Sequence, residues 1–306
     1  MSDLIDLVHA ELSAPVDPRV ATMAQAIAAQ YPGSARAVLF YGSCLRESEL
    51  DGLMLDFYLI VSDYSDAYSK RWMAAANRLI PPNVFPFQHG GLIAKYAVLS
   101  ERDFELLNSG EASNVSVWAR FAQPSRLVWS VDHVAADRVV AAVVEAPVTL
   151  FELTIPTMVP DASAPPVDIW RAGFAHTYQA ELRAERNGRS VSIVDADLDR
   201  YERFAVATLA EIATRRGIGP NGEVANAFHA DTARRRWGQM RRRGKALSIA
   251  RLAKASLTYA GGIDYLAWKI NRHAGTKIEI KPWQRRWPLV AALTLVPRLM
   301  KSGAIR

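Results

Sequence analysis

The residues in this chain best suited to chemistry are a Gly-Ser pair and a carboxylate in neighbouring predicted strands. Gly42 and Ser43 directly follow the apolar run 37–41, and Asp56 lies inside the apolar run 53–61. Glycine lets backbone amides approach a phosphate closely, and a serine hydroxyl can bond a phosphate oxygen. A carboxylate on the adjacent strand can hold Mg²⁺ against the same phosphates. This is the arrangement that a nucleotidyl-transfer site requires.

Asp56 is stronger evidence than the Gly-Ser pair, because Gly-Ser turns follow strands in many proteins. An ionised carboxylate in a buried strand is costly unless a cation compensates its charge. A metal ion would do so, and the alternatives are an outward-facing side chain or an ion pair with Lys95 in the third strand. Nucleotidyltransferases usually carry two carboxylates two residues apart in this strand, whereas the flanking positions here are Met54 and Tyr58.

Hydrophobic spacing predicts an α+β protein with a mixed sheet and flanking helices. The predicted elements are helix 17–31 with Asp17 as its cap, strands 37–41 and 53–61, helix 67–79, strand 92–99 and a helix through Asn108 capped by Ser100. Pro81, Pro82 and Pro86 are expected to interrupt the chain before the third strand. Residues 131–225 are mostly helical in pattern, apart from the proline-rich segment 156–166.

The chain is long enough, at 306 residues, to bury one large core or two modest ones. We predict a nucleotidyltransferase domain over 1–130, a mainly helical domain over 131–230 and a basic amphipathic region over 231–306. No uninterrupted apolar stretch of about 18 residues is present, so no transmembrane helix is expected. The single cysteine and the acidic, helical N-terminal segment predict a protein of the reducing cytoplasm.

The positive charge is concentrated at one end of the chain. Residues 232–306 carry 18 Lys and Arg side chains against only Asp264 and Glu279, whereas the rest of the chain has a net charge of −10. Such asymmetry predicts an anionic surface as partner, either acidic lipid headgroups or nucleic acid. A basic tail that serves only solubility is the alternative.

The C-terminal region also carries apolar and aromatic side chains among its cations. Residues 234–254 combine arginines with Trp237, Met240, Leu247, Ile249 and Leu252, a composition typical of an interfacial helix on acidic lipid. The apolar segment 287–301 is too short to span a bilayer and contains two prolines. Trp283 and Trp287 beside two arginines suit headgroup depth. In the alternative interpretation these side chains are ordinary core.

Five separated segments carry a family resemblance: FYGSCL (40–45), LDFYLIVSD (55–63), LIAKYAVLS (92–100), WARFAQPSRLVW (118–129) and YQAELR (178–183). Together they resemble a family of nucleotidyltransferases with one carboxylate in the second strand, the mitochondrial-type CDP-diacylglycerol synthases (translocator assembly and maintenance proteins). The chain departs from the family at Cys44, Ala97 and Gln123, where glycine, glycine and lysine are usual. Glu181 likewise stands where the family has aspartate.

The resemblance implies a phosphatidate cytidylyltransferase, peripheral on the inner face of the membrane, with a winged-helix-like second domain. Its expected partners are CTP, phosphatidic acid and Mg²⁺ or Mn²⁺, with no nucleic acid. The matched positions imply roles for Gly42, Ser43, Lys70 and Arg120 in nucleotide binding, for Asp56 and Lys95 in catalysis, and for Asp56 and Asp63 as metal ligands. Further candidates are Ser69, Tyr96, Tyr178, Glu181 and Arg183.

Two other functions remain open at this stage. A nucleotidyltransferase with a non-lipid acceptor, such as a protein, a small alcohol or an antibiotic, would keep the fold but would not need the basic C-terminal region. A nucleic-acid-binding protein would use the C-terminal arginine clusters on phosphates. That function leaves Asp56 and the Gly-Ser turn unexplained.

Overall fold

A mixed β-sheet forms the centre of the structure, a computed structural model that describes residues 3–46, 49–158, 165–181, 193–217, 229–258 and 281–282. Its strands are β1 (Ala35–Tyr41), β2 (Met54–Val61), β3 (Asn83–His89), β4 (Leu92–Ser100) and β5 (Ser125–Ser130). They are ordered β3-β4-β2-β1-β5. Strands β2 and β4 are parallel, and the other neighbours are antiparallel. The α+β class and the mixed sheet predicted from sequence are confirmed.

Helices surround the sheet and make up nearly all of the described chain after β5. They are α1 (Asp3–Leu12), α2 (Pro18–Ala28), α3 (Tyr64–Ala67), α4 (Arg71–Leu79), α5 (Glu101–Asn108), α6 (Trp118–Phe121), α7 (His133–Thr154), α8 (Val167–Ala180), α9 (Leu198–Arg215) and α10 (Ala230–Thr258). The two predicted caps are confirmed, since the Asp17 side chain accepts a hydrogen bond from the Arg19 amide and Ser100 accepts one from the Asp103 amide.

The region between β2 and β4 differs from the sequence prediction. The helix expected over 67–79 begins only at Arg71, as α4, and a separate short helix, α3, ends at Ala67. The proline-interrupted stretch contains strand β3. Strand β3 pairs only with β4 and forms an edge of the sheet. An edge strand tolerates a proline because one of its sides needs no backbone donors, and Pro86 pairs with Lys95 there. The prolines therefore do not mark a break between strands, since Pro86 lies inside β3.

The two faces of the sheet bury different layers, because successive strand residues point to opposite sides. One face carries Leu39, Tyr58, Ile60 and Leu99 and packs against helices that include α1, α5, α6 and α7. The other face carries Phe57 and its same-side neighbours and packs against α2 and part of α4. Asp56 lies two residues before Tyr58, so it shares the first face, under the larger helical layer.

Packing is continuous across the predicted domain boundaries at residues 130 and 230. The larger core cluster contains side chains from α1, the sheet, α7, α8, α9 and α10. Trp118 of α6, for example, contacts Trp237 of α10 edge-to-face, with ring centroids 6.0 Å apart. The described residues after β5 contain no strand, and segments 182–192 and 218–228 lie outside the described residues. The winged-helix character of this part stays a prediction.

Among the described residues, one helix is long and apolar enough to cross a membrane, over His133–Thr157. Charged residues interrupt the apolar pattern of this helix, so it contains no uninterrupted apolar stretch of about 18 residues. In the structure 72% of its apolar window is buried inside the protein. A core helix passes the same test, so the finding is weak evidence for a membrane span.

A buried ion pair joins the first helix to the helical layer. Arg200 of α9 donates two hydrogen bonds to the Glu11 carboxylate, Nε to Oε2 at 2.6 Å and Nη2 to Oε1 at 2.9 Å. Its side chain is only 5% exposed, and its guanidinium lies 4.1 Å from the centre of the Phe204 ring. Burial disfavours the charge of Arg200, but the attraction of Glu11 outweighs it and raises the pKa of Arg200 above its ordinary value.

We expect Glu11→Ala to lower the free energy of unfolding by about 3 kcal/mol, because it leaves the Arg200 guanidinium buried without its counter-charge. Urea unfolding followed by circular dichroism measures the change. The control, Asp199→Ala, removes a partner of Arg203 from a pair whose side chains are 84% and 58% exposed, and should cost less than about 1 kcal/mol. Equal losses in the two variants would contradict this account.

Candidate functional site

Strand register brings the Gly-Ser turn, Asp56 and Lys95 together. Tyr41, the last residue of β1, pairs with Asp56 on β2, and Asp56 pairs with Lys95 on β4. Gly42 follows β1 with φ +97°, a conformation that glycine adopts without the penalty of a side chain. A Cβ at Gly42 would lie 3.4 Å from Asp56 Oδ2. Backbone and carboxylate therefore meet at this end of β1, and Ser43 beside them is exposed.

Lys95 is the cation that compensates Asp56 in this structure. Its Nζ lies 3.0 Å from Asp56 Oδ1, and the two side chains are 28% and 24% exposed. Oδ1 is buried and accepts no hydrogen bond of good geometry from the described residues, so the contact is an ion pair with the ammonium off the hydrogen-bonding direction. The ion pair is one of the alternatives that the sequence left open.

A second charge pair covers the same face of the sheet. Helix α6 places Arg120 over Tyr41 and Tyr58, and Arg120 Nη1 lies 3.4 Å from Glu181 Oε1 at the end of α8. The same nitrogen also donates to the Ser116 carbonyl. Burial alone would lower the pKa of Arg120. The attraction of Glu181 is the largest opposing effect, and together with other neighbours that include Asp56 it raises the pKa of Arg120 above its ordinary value. Arg120 therefore stays charged beside Asp56.

Helix α10 adds Arg251, a residue that the sequence analysis did not single out. Its Nε donates to the Pro81 carbonyl at 2.7 Å, and Tyr58, Arg120 and Glu181 are its electrostatic neighbours. Burial, reinforced by the charge of Arg120, lowers the pKa of Arg251. Its Nη2 is buried and has no hydrogen-bond partner among the described residues. A cation with an unsatisfied donor therefore faces this cluster.

Two features hold α10 in this place. A Cβ at Gly244 would collide with the Ala180 carbonyl, so the glycine allows α10 to approach the end of α8, next to Glu181. Lys254 donates to the Ile80 carbonyl and, at 2.8 Å, to that of Pro82. Burial and the nearby Arg251 lower the pKa of Lys254 to about 7. No motif marks these residues in the sequence, because their partners are distant in the chain.

Asp63 does not share a site with Asp56, which corrects the prediction that both hold one metal ion. Asp56 is the third residue of β2, whereas Asp63 lies two residues beyond the end of that strand. The strand from Asp56 to Val61 alone spans about 17 Å at roughly 3.3 Å per residue. Asp63 caps α3 by accepting hydrogen bonds from Ser65 and forms an ion pair with Arg78 at 2.5 Å. The hydrogen bonds from Ser65, helped by Arg78, lower the pKa of Asp63. Its role here is structural.

Tyr96 also lies outside this site, because it follows Lys95 and so points to the opposite face of the sheet. Its hydroxyl is 3.2 Å from that of Tyr31, and burial raises the pKa of Tyr96. This corrects its inclusion among the site candidates.

The remaining candidates are placed as follows. Ser69 and Lys70 are exposed at the start of α4. Tyr178 on α8 is half-buried against the larger core cluster, and Arg183 lies outside the described residues. Of the positions that depart from the family, Cys44 is buried with its Sγ 3.5 Å from the Met54 carbonyl, Ala97 is buried in β4, and Gln123 donates to the Ala119 carbonyl.

A divalent metal at this site would have one protein carboxylate. The described residues contain no group of three or more His, Cys, Asp or Glu side chains that could hold a metal ion. Asp56 nevertheless fits Mg²⁺, because its oxygens are the hard ligands that this ion prefers. Oδ1 accepts no hydrogen bond from the described residues, and its ion-pair partner there is Lys95. Mg²⁺ commonly takes its other ligands from substrate phosphates and water.

Trp237 and Met240 of α10 are core, which corrects the prediction that these two side chains contact lipid. Trp237 is 1% exposed and Met240 2%, and Trp237 Nε1 donates to the Leu153 carbonyl at 2.8 Å. Leu247 and Ile249 are half-buried. The exposed cations of this helix include Arg234, Arg235, Arg242, Arg243 and Lys245. The side chain of Leu252, Trp283, Trp287 and segment 287–301 lie outside the described residues.

Comparisons with known proteins give little guidance. No family model matches the sequence, and no curated protein matches it. A solved structure that matches is a nucleotidyltransferase-like protein from Exiguobacterium sibiricum 255-15, at 12% identity over 93% of this chain and 92% of that chain, with a TM-score of 0.28. A TM-score this low supports no argument about function. The function has to be argued from the site itself.

A double-mutant cycle with Asp56→Asn and Lys95→Gln should give a coupling energy of about 1 kcal/mol or less, because the pair is partly exposed and lacks good hydrogen-bond geometry. Urea unfolding of the four proteins measures it. A coupling above about 3 kcal/mol would be typical of a buried structural pair, and would contradict a site in which Lys95 is free to exchange partners.

Proposed function

We propose that this chain is a nucleotidyltransferase that converts CTP and phosphatidic acid to CDP-diacylglycerol and pyrophosphate with Mg²⁺ or Mn²⁺. One observation carries the nucleotidyl-transfer part: the Gly42 turn abuts Asp56 across paired strands. The choice of CTP and of a lipid acceptor rests on the resemblance of five segments to CDP-diacylglycerol synthases. The basic C-terminal part supports the lipid acceptor further.

The reaction joins two polyanions, so positioning and charge neutralisation dominate its catalysis. A phosphate oxygen of the acceptor attacks the α-phosphorus of the nucleotide. The bond from that phosphorus to the oxygen bridging the α- and β-phosphates breaks, and pyrophosphate leaves with the bonding electron pair. The five charged side chains of the site are Lys95, Arg120, Arg251, Asp56 and Glu181. Their net charge of +1 favours anionic reactants.

The Gly42 turn and Asp56 form the nucleotide side of the proposed site. Backbone amides at Gly42 and the Ser43 hydroxyl would bind triphosphate oxygens, and Asp56 would hold the metal. Mg²⁺ bound there would neutralise phosphate charge and orient the α-phosphate. Lys95 then exchanges its partner: its Nζ, 3.0 Å from Asp56 Oδ1, moves onto a phosphate oxygen.

Arg120 and Arg251 form the acceptor side, which differs from the nucleotide-binding role that the family resemblance implies for Arg120. Tyr58, next to both arginines, lies two residues beyond Asp56, which is about 7 Å along the strand. That spacing suits an acceptor phosphate adjacent to the nucleotide. A phosphate oxygen would satisfy the unpaired Nη2 of Arg251, and it would offset the cost of holding two arginines against the single carboxylate of Glu181. Binding there requires the end of α10 to give way slightly, because Nη2 is buried.

A lipid acceptor requires the enzyme to work at a membrane. We therefore propose a cytoplasmic protein bound peripherally to the inner face of the membrane, with the cationic side of α10 attracted to anionic lipid. The product formed distinguishes the two other functions from this one. An enzyme with a non-lipid acceptor would release pyrophosphate without forming a CDP-lipid, and a nucleic-acid-binding protein that uses the same arginines would form neither product.

Incubation with CTP, Mg²⁺ and phosphatidic acid in mixed micelles should release pyrophosphate and yield a CDP-lipid. Asp56→Asn should reduce the rate at least 100-fold, because it removes the one protein carboxylate assigned to the metal, an interaction worth several kcal/mol to the transition state. Pyrophosphate is measured by a coupled assay and the lipid product by chromatography.

The matched control is Asp51→Asn, which neutralises an exposed carboxylate that pairs with Arg19 and should leave the rate unchanged. Pyrophosphate released without a lipid product would indicate another acceptor. No reaction by folded, vesicle-bound protein would rule out the synthase function.

Arg251→Gln should raise the KM for phosphatidic acid about tenfold while the KM for CTP changes less than about twofold, because a charged hydrogen bond contributes roughly 1.5–3 kcal/mol. Arg251→Lys should restore part of the loss, since the charge remains. Arg203→Gln, at an exposed site on α9, is the control. A larger effect on the KM for CTP would place Arg251 on the nucleotide instead.

A further inference from the structure

We infer that the outward face of α4, formed by Arg71, Trp72, Ala75 and Leu79 and preceded by Lys70, docks onto an anionic lipid surface. Two large hydrophobic side chains of this helix are exposed, Trp72 at 52% and Leu79 at 79%. No role in the site described above accounts for them. This α4 face deepens the proposed function, because it would bring the enzyme to the membrane that holds its acceptor, yet its contacts with lipid can be measured without catalysis.

The orientation of α4 is fixed by its opposite side. Asn77 donates through Nδ2 to the Val98 carbonyl at 3.0 Å, and its Oδ1 accepts from the Asn83 amide at 2.5 Å. Asn77 is fully buried, and Ala74 is 5% exposed. Trp72 and Leu79 are seven residues apart, which is nearly two full turns, so they lie on the same side of the helix. The buried amide therefore holds both apolar side chains towards solvent.

The charge beside these apolar residues indicates which partner covers them. Lys70 and Arg71 are exposed, and neither forms an ion pair within the described part of the chain. Arg78 is different, since it pairs with Asp63. Tryptophan beside unpaired cations is typical of the headgroup depth of a membrane. Two large side chains are also few for a protein interface, which buries about 800 Å² on each partner.

The α4 face is linked to the acceptor side of the proposed site by the turn that follows the helix. Arg251 and Lys254 of α10 both bond to backbone carbonyls of the turn 80–82. Lipid bound at α4 would therefore lie next to the turn that holds Arg251.

The test is sedimentation with vesicles of phosphatidylcholine containing phosphatidylglycerol, without CTP, metal or phosphatidic acid. The variant Trp72→Ala with Leu79→Ala should bind about tenfold more weakly, because it loses two apolar side chains that insert at the interface. Arg71→Glu should weaken binding to these vesicles and leave the weak binding to pure phosphatidylcholine unchanged. Val206→Ala, which trims an exposed side chain of α9, is the control and should bind like the parent protein.

Unchanged vesicle binding by the Trp72 and Leu79 variant, with parental circular dichroism, would overturn the inference. So would a shift from dimer to monomer in light scattering without a loss of lipid binding, because a second copy would then cover the face. Catalysis is judged separately with short-chain phosphatidic acid dispersed in detergent. If no protein turns over in that assay, the proposed function fails, while the vesicle result still decides the docking surface.

Discussion

Charge compensation of one carboxylate on a sheet face is the constraint around which the site is arranged. Asp56 shares its side of the sheet with Tyr58, Ile60 and the larger core cluster, where an uncompensated anion would be costly. Lys95 supplies the compensating charge from the parallel neighbour strand. Arg120 lies above the same strands and is itself balanced by Glu181. Each charge lies close to a counter-charge, so the phosphate proposed to bind here would have to replace an existing ion pair.

The cations of this cluster come from different layers, so the fold has to be complete before the site exists. Lys95 lies on β4, Arg120 on α6 and Arg251 on α10. Helix α10 is held by its own core contacts: the Trp237 ring meets Trp118 of α6 and stacks on His176 of α8, with the latter centroids 4.8 Å apart. The buried tryptophan therefore positions Arg251. This dependence also explains why the core shows no break at residues 130 or 230.

Local patterns predicted that the Gly42 turn and Asp56 lie together, because these residues are close in sequence and lie at or next to regular strands. The two-residue period of a strand also explains the error at Tyr96, since a neighbour of Lys95 must point the other way. The length of β2 likewise separates Asp63 from Asp56. Arg251 could not have been predicted, because it contacts residues about 70 and 170 positions away. Strand β3 was missed because its proline is tolerated only at an edge.

Tryptophan lies beside arginine in two helices of this protein, but it is buried in α10 and exposed in α4. Amino-acid composition alone does not distinguish the two cases. In α10, Ala233, Trp237 and Met240 recur at intervals of three and four and are buried, so the arginines between them face outwards and the apolar side is already covered. In α4 the buried positions are Ala74 and Asn77, which leaves Trp72 outside. Cationic α10 could attract an anionic membrane without inserting into it. Under the docking inference, the side chains that insert into the membrane are Trp72 and Leu79 of α4, which no other part of the described chain covers.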